Sequence, residues 1–147
     1  MCLRGTFQTR SEEETIELGR RIAATLARRA VVLLIGNLGA GKTTLAKGIV
    51  SGLGAAQPDE VSSPTFTLIH EYAGHKNGGR VYHIDLYRLE SEAQVATLGL
   101  DEIMDREGVV MIEWGERFPR LMPKERIEIR LTALEGDQRR IEVIDCR

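Results

Sequence analysis

The chain has few of the residues that mark special environments. Its two cysteines, Cys2 and Cys146, stand at opposite ends with no CxxC pair. That points away from a disulfide framework or a thiolate zinc site and fits free thiols in a reducing cytosol, so a cytoplasmic location is expected. His70, His75 and His83 lack zinc-ligand spacing and have no cysteine among them. No apolar run approaches the length of a membrane span, and the N-terminus carries no apolar signal core. No basic block stands out either: 20 Lys and Arg face 22 Asp and Glu, a formal charge of −2. A balance of this kind gives no global attraction to nucleic acid, so DNA binding and a large nucleic-acid footprint are not expected. Aromatics make up only 5%, with a single tryptophan, Trp114.

What remains is ordinary for a soluble globular protein. The 147 residues are 42% hydrophobic and 29% charged, which suits one domain over residues 1–147 with a real core. No internal repeat, low-complexity segment or linker interrupts it.

The most informative stretch is Gly36-Asn37-Leu38-Gly39-Ala40-Gly41-Lys42-Thr43, which fits GxxxxGK[ST] at every fixed position. Val31–Ile35 precedes it as an apolar run that reads as a buried strand, and Thr44–Val50 follows as a helix. Strand, glycine loop and helix together form the context that this phosphate-binding motif requires. The chemistry explains the spacing. A nucleotide polyphosphate packs several negative charges into a small volume. A helix N-terminus offers unpaired N–H groups and the positive end of a dipole. Glycines let the backbone wrap an anion without Cβ clashes. The expected contacts are the backbone of Asn37 to Thr44, with Lys42 on the β- and γ-phosphates, the Thr43 hydroxyl on Mg²⁺ and Thr44 toward the α-phosphate.

The rest of the chain reads as a mixture of α and β. Leu3–Gln8 suits a short edge strand. Ser11 opens a helix with a capping box to Glu14, and the apolar spacing of Ile16, Gly19, Ile22, Ala23 and Leu26 carries it over 12–28, closed by Arg28-Arg29. Thr65–Tyr72 and Arg80–Asp85 read as a hairpin across Gly74–Gly79. Residues 91–105 suit one or two short helices broken at Gly99. Val109–Ile112 is a strongly apolar strand, and Arg126–Leu131 with Arg140–Ile144 forms a C-terminal hairpin. The expected fold is α/β: a P-loop NTPase domain with a mixed parallel and antiparallel central sheet flanked by helices.

Turnover needs carboxylates at strand ends near the phosphates. Two apolar strands supply them, ending in Asp85 and in Glu113, and both look like a Walker B element. One of these acids would hold Mg²⁺ and the other orient the attacking water; the spacing fits either assignment. Ser62-Ser63-Pro64-Thr65 occupies the place of a switch loop, although Ser and Pro are common loop residues. Arg88 stands three residues after Asp85, and Trp114 follows Glu113 directly. A phosphate or partner contact is set against a surface ion pair for Arg88 and core packing for Trp114. There is no NKxD guanine-reading motif, and neither candidate acid begins a DxxG, which argues against a Ras-like GTPase. No arginine-rich lid of the kind used by small-molecule kinases is evident.

With these elements assembled, the chain resembles the bacterial TsaE (YjeE) family. The matching segments are GNLGAGKTT at 36–44, SSPTFTLIHEY at 62–72, YHIDLYRL at 82–89, LGLDEI at 98–103 and IEWGERF at 112–118. Each is moderately specific alone; their order and spacing together are highly specific. The resemblance implies an ATPase that supports threonylcarbamoyladenosine (t6A) synthesis at position 37 of tRNA. It would act on the partner proteins TsaD and TsaB and reset them between turnovers, with tRNA involved only indirectly. It implies ATP and Mg²⁺ as cofactors and Lys42, Asp85 and Glu113 as catalytic residues. Thr43, Asp85 and Glu113 would lie at the metal, and Thr65, Arg88 and Trp114 at a switch or partner surface. The alternatives are a small-molecule kinase and a nucleotide-gated binding module without turnover.

Overall fold

The computed structural model describes residues 3–62, 64, 68–73, 80–106 and 108–146. Seven strands form one sheet: β1 (Gly5–Thr9), β2 (Arg29–Ile35), β3 (Ile69–Ala73), β4 (Arg80–Asp85), β5 (Gly108–Glu113), β6 (Arg126–Ala133) and β7 (Arg139–Cys146). Their spatial order is β1-β7-β6-β2-β5-β4-β3. The four central strands, β6, β2, β5 and β4, run parallel, and the antiparallel pairs lie at the two edges. This is the mixed sheet expected from the sequence, and the P-loop strand β2 lies within its parallel centre.

Helices cover both faces, unevenly. On one face, α1 (Glu12–Thr25) and α2 (Lys42–Gly52) pack against Val32, Leu34, Val109, Met111, Ile129 and Ile141. On the other, α3 (Glu92–Ala96), α4 (Leu100–Asp105) and two 3-10 turns cover Leu33, Ile84, Val110 and Ile112. Strand β5 is buried along its whole length, which is why its sequence is a continuous apolar run rather than an alternation. Strand β6 alternates instead: Ile127, Ile129 and Leu131 face the core, while Arg126, Glu128 and Arg130 form an ionic ladder on the outer face. Leu34, Met111 and Ile112 are fully buried, so truncating any one to alanine costs about 2–5 kcal/mol.

Helices α1 and α2 meet at glycines. A Cβ on Gly48 would lie 2.0 Å from the Ile16 carbonyl oxygen, and one on Gly19 would lie 2.6 Å from that of Leu45. The bare backbones let α2 settle close to α1, with its N-terminus at the carboxyl end of β2.

Several boundaries differ from the sequence reading. Helix α1 ends at Thr25, not 28, and Arg29 already begins β2; Leu26 turns extended and its N–H caps Ala23. Ser11 caps Glu14 N–H as expected, but the Glu14 carboxylate reaches back to Arg10 N–H at 2.8 Å, one residue earlier than a capping box requires. Strand β1 pairs only with β7, as an edge strand should. The described part of β3 begins at Ile69 rather than 65, and the turn at Gly74–Gly79 lies outside the described residues. Gly99, at φ 72°, separates α3 from α4.

Candidate nucleotide site

The site is built at the carboxyl ends of the parallel strands, where ligands bind in open α/β sheets. Strand β2 ends at Ile35, and the loop turns through Gly39 (φ 81°) and Gly41 (φ 102°) before α2 starts at Lys42. Both glycines occupy the left-handed region that a side chain disfavours. Gly41 is the N-cap of α2, and no side chain caps that end. Its first N–H groups therefore remain available to an anion. Asn37, Leu38 and Gly39 are exposed at the loop tip, Ala40 is buried beneath it, and Thr43 and Thr44 are half-buried in the first turn of α2.

Lys42 folds back into this concavity and is only 5% exposed. Its Nζ donates to the Gly36 carbonyl at 2.7 Å and lies 3.8 Å from the centroid of the Trp114 ring. Burial lowers its pKa, while Glu113, Glu116 and Asp85 pull it back up. These three carboxylates thus share its electrostatic environment.

Asp85 and Glu113 end neighbouring parallel strands and are direct partners in the register. Both are buried, at 3% exposure each. One Asp85 oxygen accepts the Tyr87 N–H at 2.9 Å, an Asx turn that fixes the chain as it leaves β4. Glu113 Oε2 meets His83 Nε2 at 2.5 Å. The two acids therefore come together beside Lys42, one strand and two strands away from β2.

Trp114 adopts φ 66°, an uncommon conformation for a residue with a side chain. It packs half-buried against the second core and against Tyr87, with ring centroids 5.2 Å apart. Packing and proximity to the site are thus combined in one residue. The following 3-10 turn, Gly115–Arg117, is tied to the end of β4 by Arg117 Nη1 donating to Tyr87 O at 2.7 Å. Arg88, next to Tyr87 in the turn after β4, is exposed. Thr65 lies outside the described residues.

Three groups at the site were not singled out from sequence. His83 shares a face with Asp85 because residues two apart on a strand point the same way; the H-x-D spacing in β4 was the available signal. Glu116 has a buried oxygen, Oε1, with no partner among the described residues. Burial raises its pKa, countered by its own backbone and by Lys42 and Arg117. Arg139 enters from β7, and its Nη2 donates to the Gly39 carbonyl at 3.2 Å while Nη1 donates to Gly136 O and Gln138 O. No local pattern announces that contact.

Among the described residues no group of three or more His, Cys, Asp and Glu is arranged to hold a metal. Mg²⁺ bound with a nucleotide keeps several waters and takes only one or two protein oxygens. Thr43, Asp85 and Glu113 offer that hard-oxygen set. A cavity of about 770 Å³ opens at the opposite end of the strands, lined by Arg29, Met104, Arg120, Met122 and Arg126 among others; it is separate from the P-loop. No helix among the described residues is long and apolar enough to cross a membrane.

Comparison with known proteins agrees with this geometry. Residues 9–141 match the model of the TsaE family, described as threonylcarbamoyl adenosine biosynthesis protein TsaE. The chain is similar to the Bacillus subtilis tRNA threonylcarbamoyladenosine biosynthesis protein TsaE, with 40% identity over 137 residues covering 92% of this chain and 82% of that protein. It is 43% identical to the protein of the same name from Nostoc over 140 residues, covering 90% and 80%. Its structure is similar to the crystal structure of Bacillus subtilis YdiB, with a TM-score of 0.77 at 32% identity over 100% of this chain and 88% of that one.

Proposed function

The chain belongs to the TsaE family, and from that premise we propose that it is an ATPase serving tRNA threonylcarbamoyladenosine biosynthesis, acting on a TsaD–TsaB complex. The observation that carries hydrolysis is the pairing of Asp85 with Glu113 in register at adjacent strand ends, both buried, beside the P-loop lysine. A binding module needs the loop alone; two desolvated carboxylates next to it are costly unless used.

In this reading the uncapped N-terminus of α2 and the loop from Asn37 to Thr44 receive the phosphates. Lys42 exchanges its Gly36 carbonyl and Trp114 contacts for phosphate oxygens. One of Asp85 and Glu113 orients the attacking water and accepts its proton. Mg²⁺, when bound with the nucleotide, would be held by the Thr43 hydroxyl and the other acid, and neutralises charge on the phosphates.

A protein partner is supported by the surface around the site. Among the described residues the large hydrophobics left exposed are Leu38, at 70%, and Tyr87, at 43%. One is on the P-loop and the other packs tilted against Trp114, so a partner docking here would cover apolar surface and sense the nucleotide together.

The test is ATP hydrolysis by purified protein, alone and with TsaD and TsaB, for wild type and Glu113→Ala. Hydrolysis that responds to the partners and is lost in the variant is expected. Phosphate transfer to a metabolite instead of water would support a kinase. Full function in cells with Glu113→Ala would support a binding module and sink the ATPase reading.

A further inference from the structure

His83 is fully buried, and the chemistry above makes no use of it. It stands on β4 two residues before Asp85, on the same sheet face, and reaches diagonally to Glu113 on β5. Its Nε2 lies 2.5 Å from Glu113 Oε2, while its Nδ1 is buried with no hydrogen-bond partner among the described residues.

The contact engages one oxygen of the carboxylate, Oε2, and leaves Oε1 untouched by the ring. A ring held rigidly in the core fixes the plane of a carboxylate bonded to it.

We propose that His83 is a positioning residue: its Nε2 occupies Glu113 Oε2, fixes the carboxylate plane and confines the chemistry of Glu113 to Oε1. The proposal deepens the ATPase reading and rests on it for its catalytic consequence. Glu113 is the only charged residue in a strand buried from end to end. A carboxyl group in that position needs a hydrogen-bond partner and a constraint to hold one rotamer. His83 supplies both from the neighbouring strand. The H-x-D spacing then has a division of labour, with one residue orienting the Glu113 carboxylate and the other presenting its own.

Two measurements test it together. Side-chain ¹⁵N spectra of the nucleotide-free protein report the Nε2–H of His83 directly, with His70 and His75 as the other rings to assign. The expected signature is a slowly exchanging Nε2–H that is lost in Glu113→Ala. Steady-state kinetics with TsaD and TsaB then compare His83→Leu, which removes the donor, with His83→Gln, whose amide nitrogen can stand near Nε2. Expected is a kcat lower by roughly 10- to 100-fold in His83→Leu, a KM for ATP within about threefold of wild type, and recovery of most of kcat in His83→Gln. An Nε2–H signal indifferent to Glu113→Ala, wild-type kcat in His83→Leu, or a Gln variant no better than Leu would overturn it. If the wild-type protein hydrolyses no ATP, the ATPase reading fails, and the ring spectrum by itself decides the His83–Glu113 assignment. The spectrum also decides the case in which His83→Leu does not fold.

Discussion

The ammonium of Lys42 lies 3.8 Å from the centroid of the Trp114 ring, so the lysine of the P-loop rests on the residue that follows the candidate acid Glu113. A partly desolvated contact of this type contributes about 1–2 kcal/mol, and a bound phosphate competes for the same cation. Trp114 is the only tryptophan, so its fluorescence reports the exchange. We expect nucleotide to change its emission in the wild type and to leave it nearly unchanged in Lys42→Ala. Emission that ignores saturating ATP would count against Lys42 leaving the ring.

Arg139 should act as a clamp on the P-loop. It joins the Gly39 carbonyl to the turn that carries Gly136. Removing one such bond costs about 1 kcal/mol, which is roughly a fivefold loss in affinity. Arg139→Ala should therefore bind nucleotide about 3- to 10-fold more weakly by titration calorimetry. Arg139→Lys should not restore binding, because a single ammonium cannot serve several carbonyls as the guanidinium fork does.

Gly48→Ala tests the helix contact under the site. Alanine improves helix propensity by about 1 kcal/mol. The added carbon would meet the Ile16 carbonyl oxygen at 2.0 Å, and separating two packed backbones costs about 1–3 kcal/mol or more. The clash wins, so the melting temperature should fall. A variant more stable than the wild type would show that α1 and α2 are not held this closely.

Acid stability should depend on Glu128. Burial pushes its pKa up, but hydrogen bonds from Arg126 and Arg130 outweigh that and bring it below the ordinary 4.5. A carboxyl depressed in the folded state stabilises fully above its unfolded value, and this contribution is lost as pH falls through the folded one. Denaturant titrations should show Glu128→Gln less stable by about 1 kcal/mol at neutral pH, with the difference vanishing in acid. A constant difference at all pH values would assign the effect to packing.

Much of this site was legible before the fold. The loop from Gly36 to Thr43 announces itself because the motif is local: glycines at left-handed positions, a strand before and a helix after. Asp85 and Glu113 were visible as acids ending apolar runs. The short helices around Gly99 were legible for the same reason, since caps and turns are made within a few residues. Helix α1 was read three residues too long because Leu26 continues the apolar period, while β2 already claims the chain at Arg29.

The sequence by itself determined the P-loop, the α/β character of the chain and the two acids, because each depends on periodicity and backbone preferences spanning a few residues. Only the tertiary structure decided that Asp85 and Glu113 are register partners, that His83 occupies one of the Glu113 oxygens, and that Lys42 rests on Trp114. It also brought Arg139 to Gly39 from 100 residues away. Such contacts depend on strand order and register across the sheet, and those are set by burial of the whole apolar surface together rather than by any local pattern.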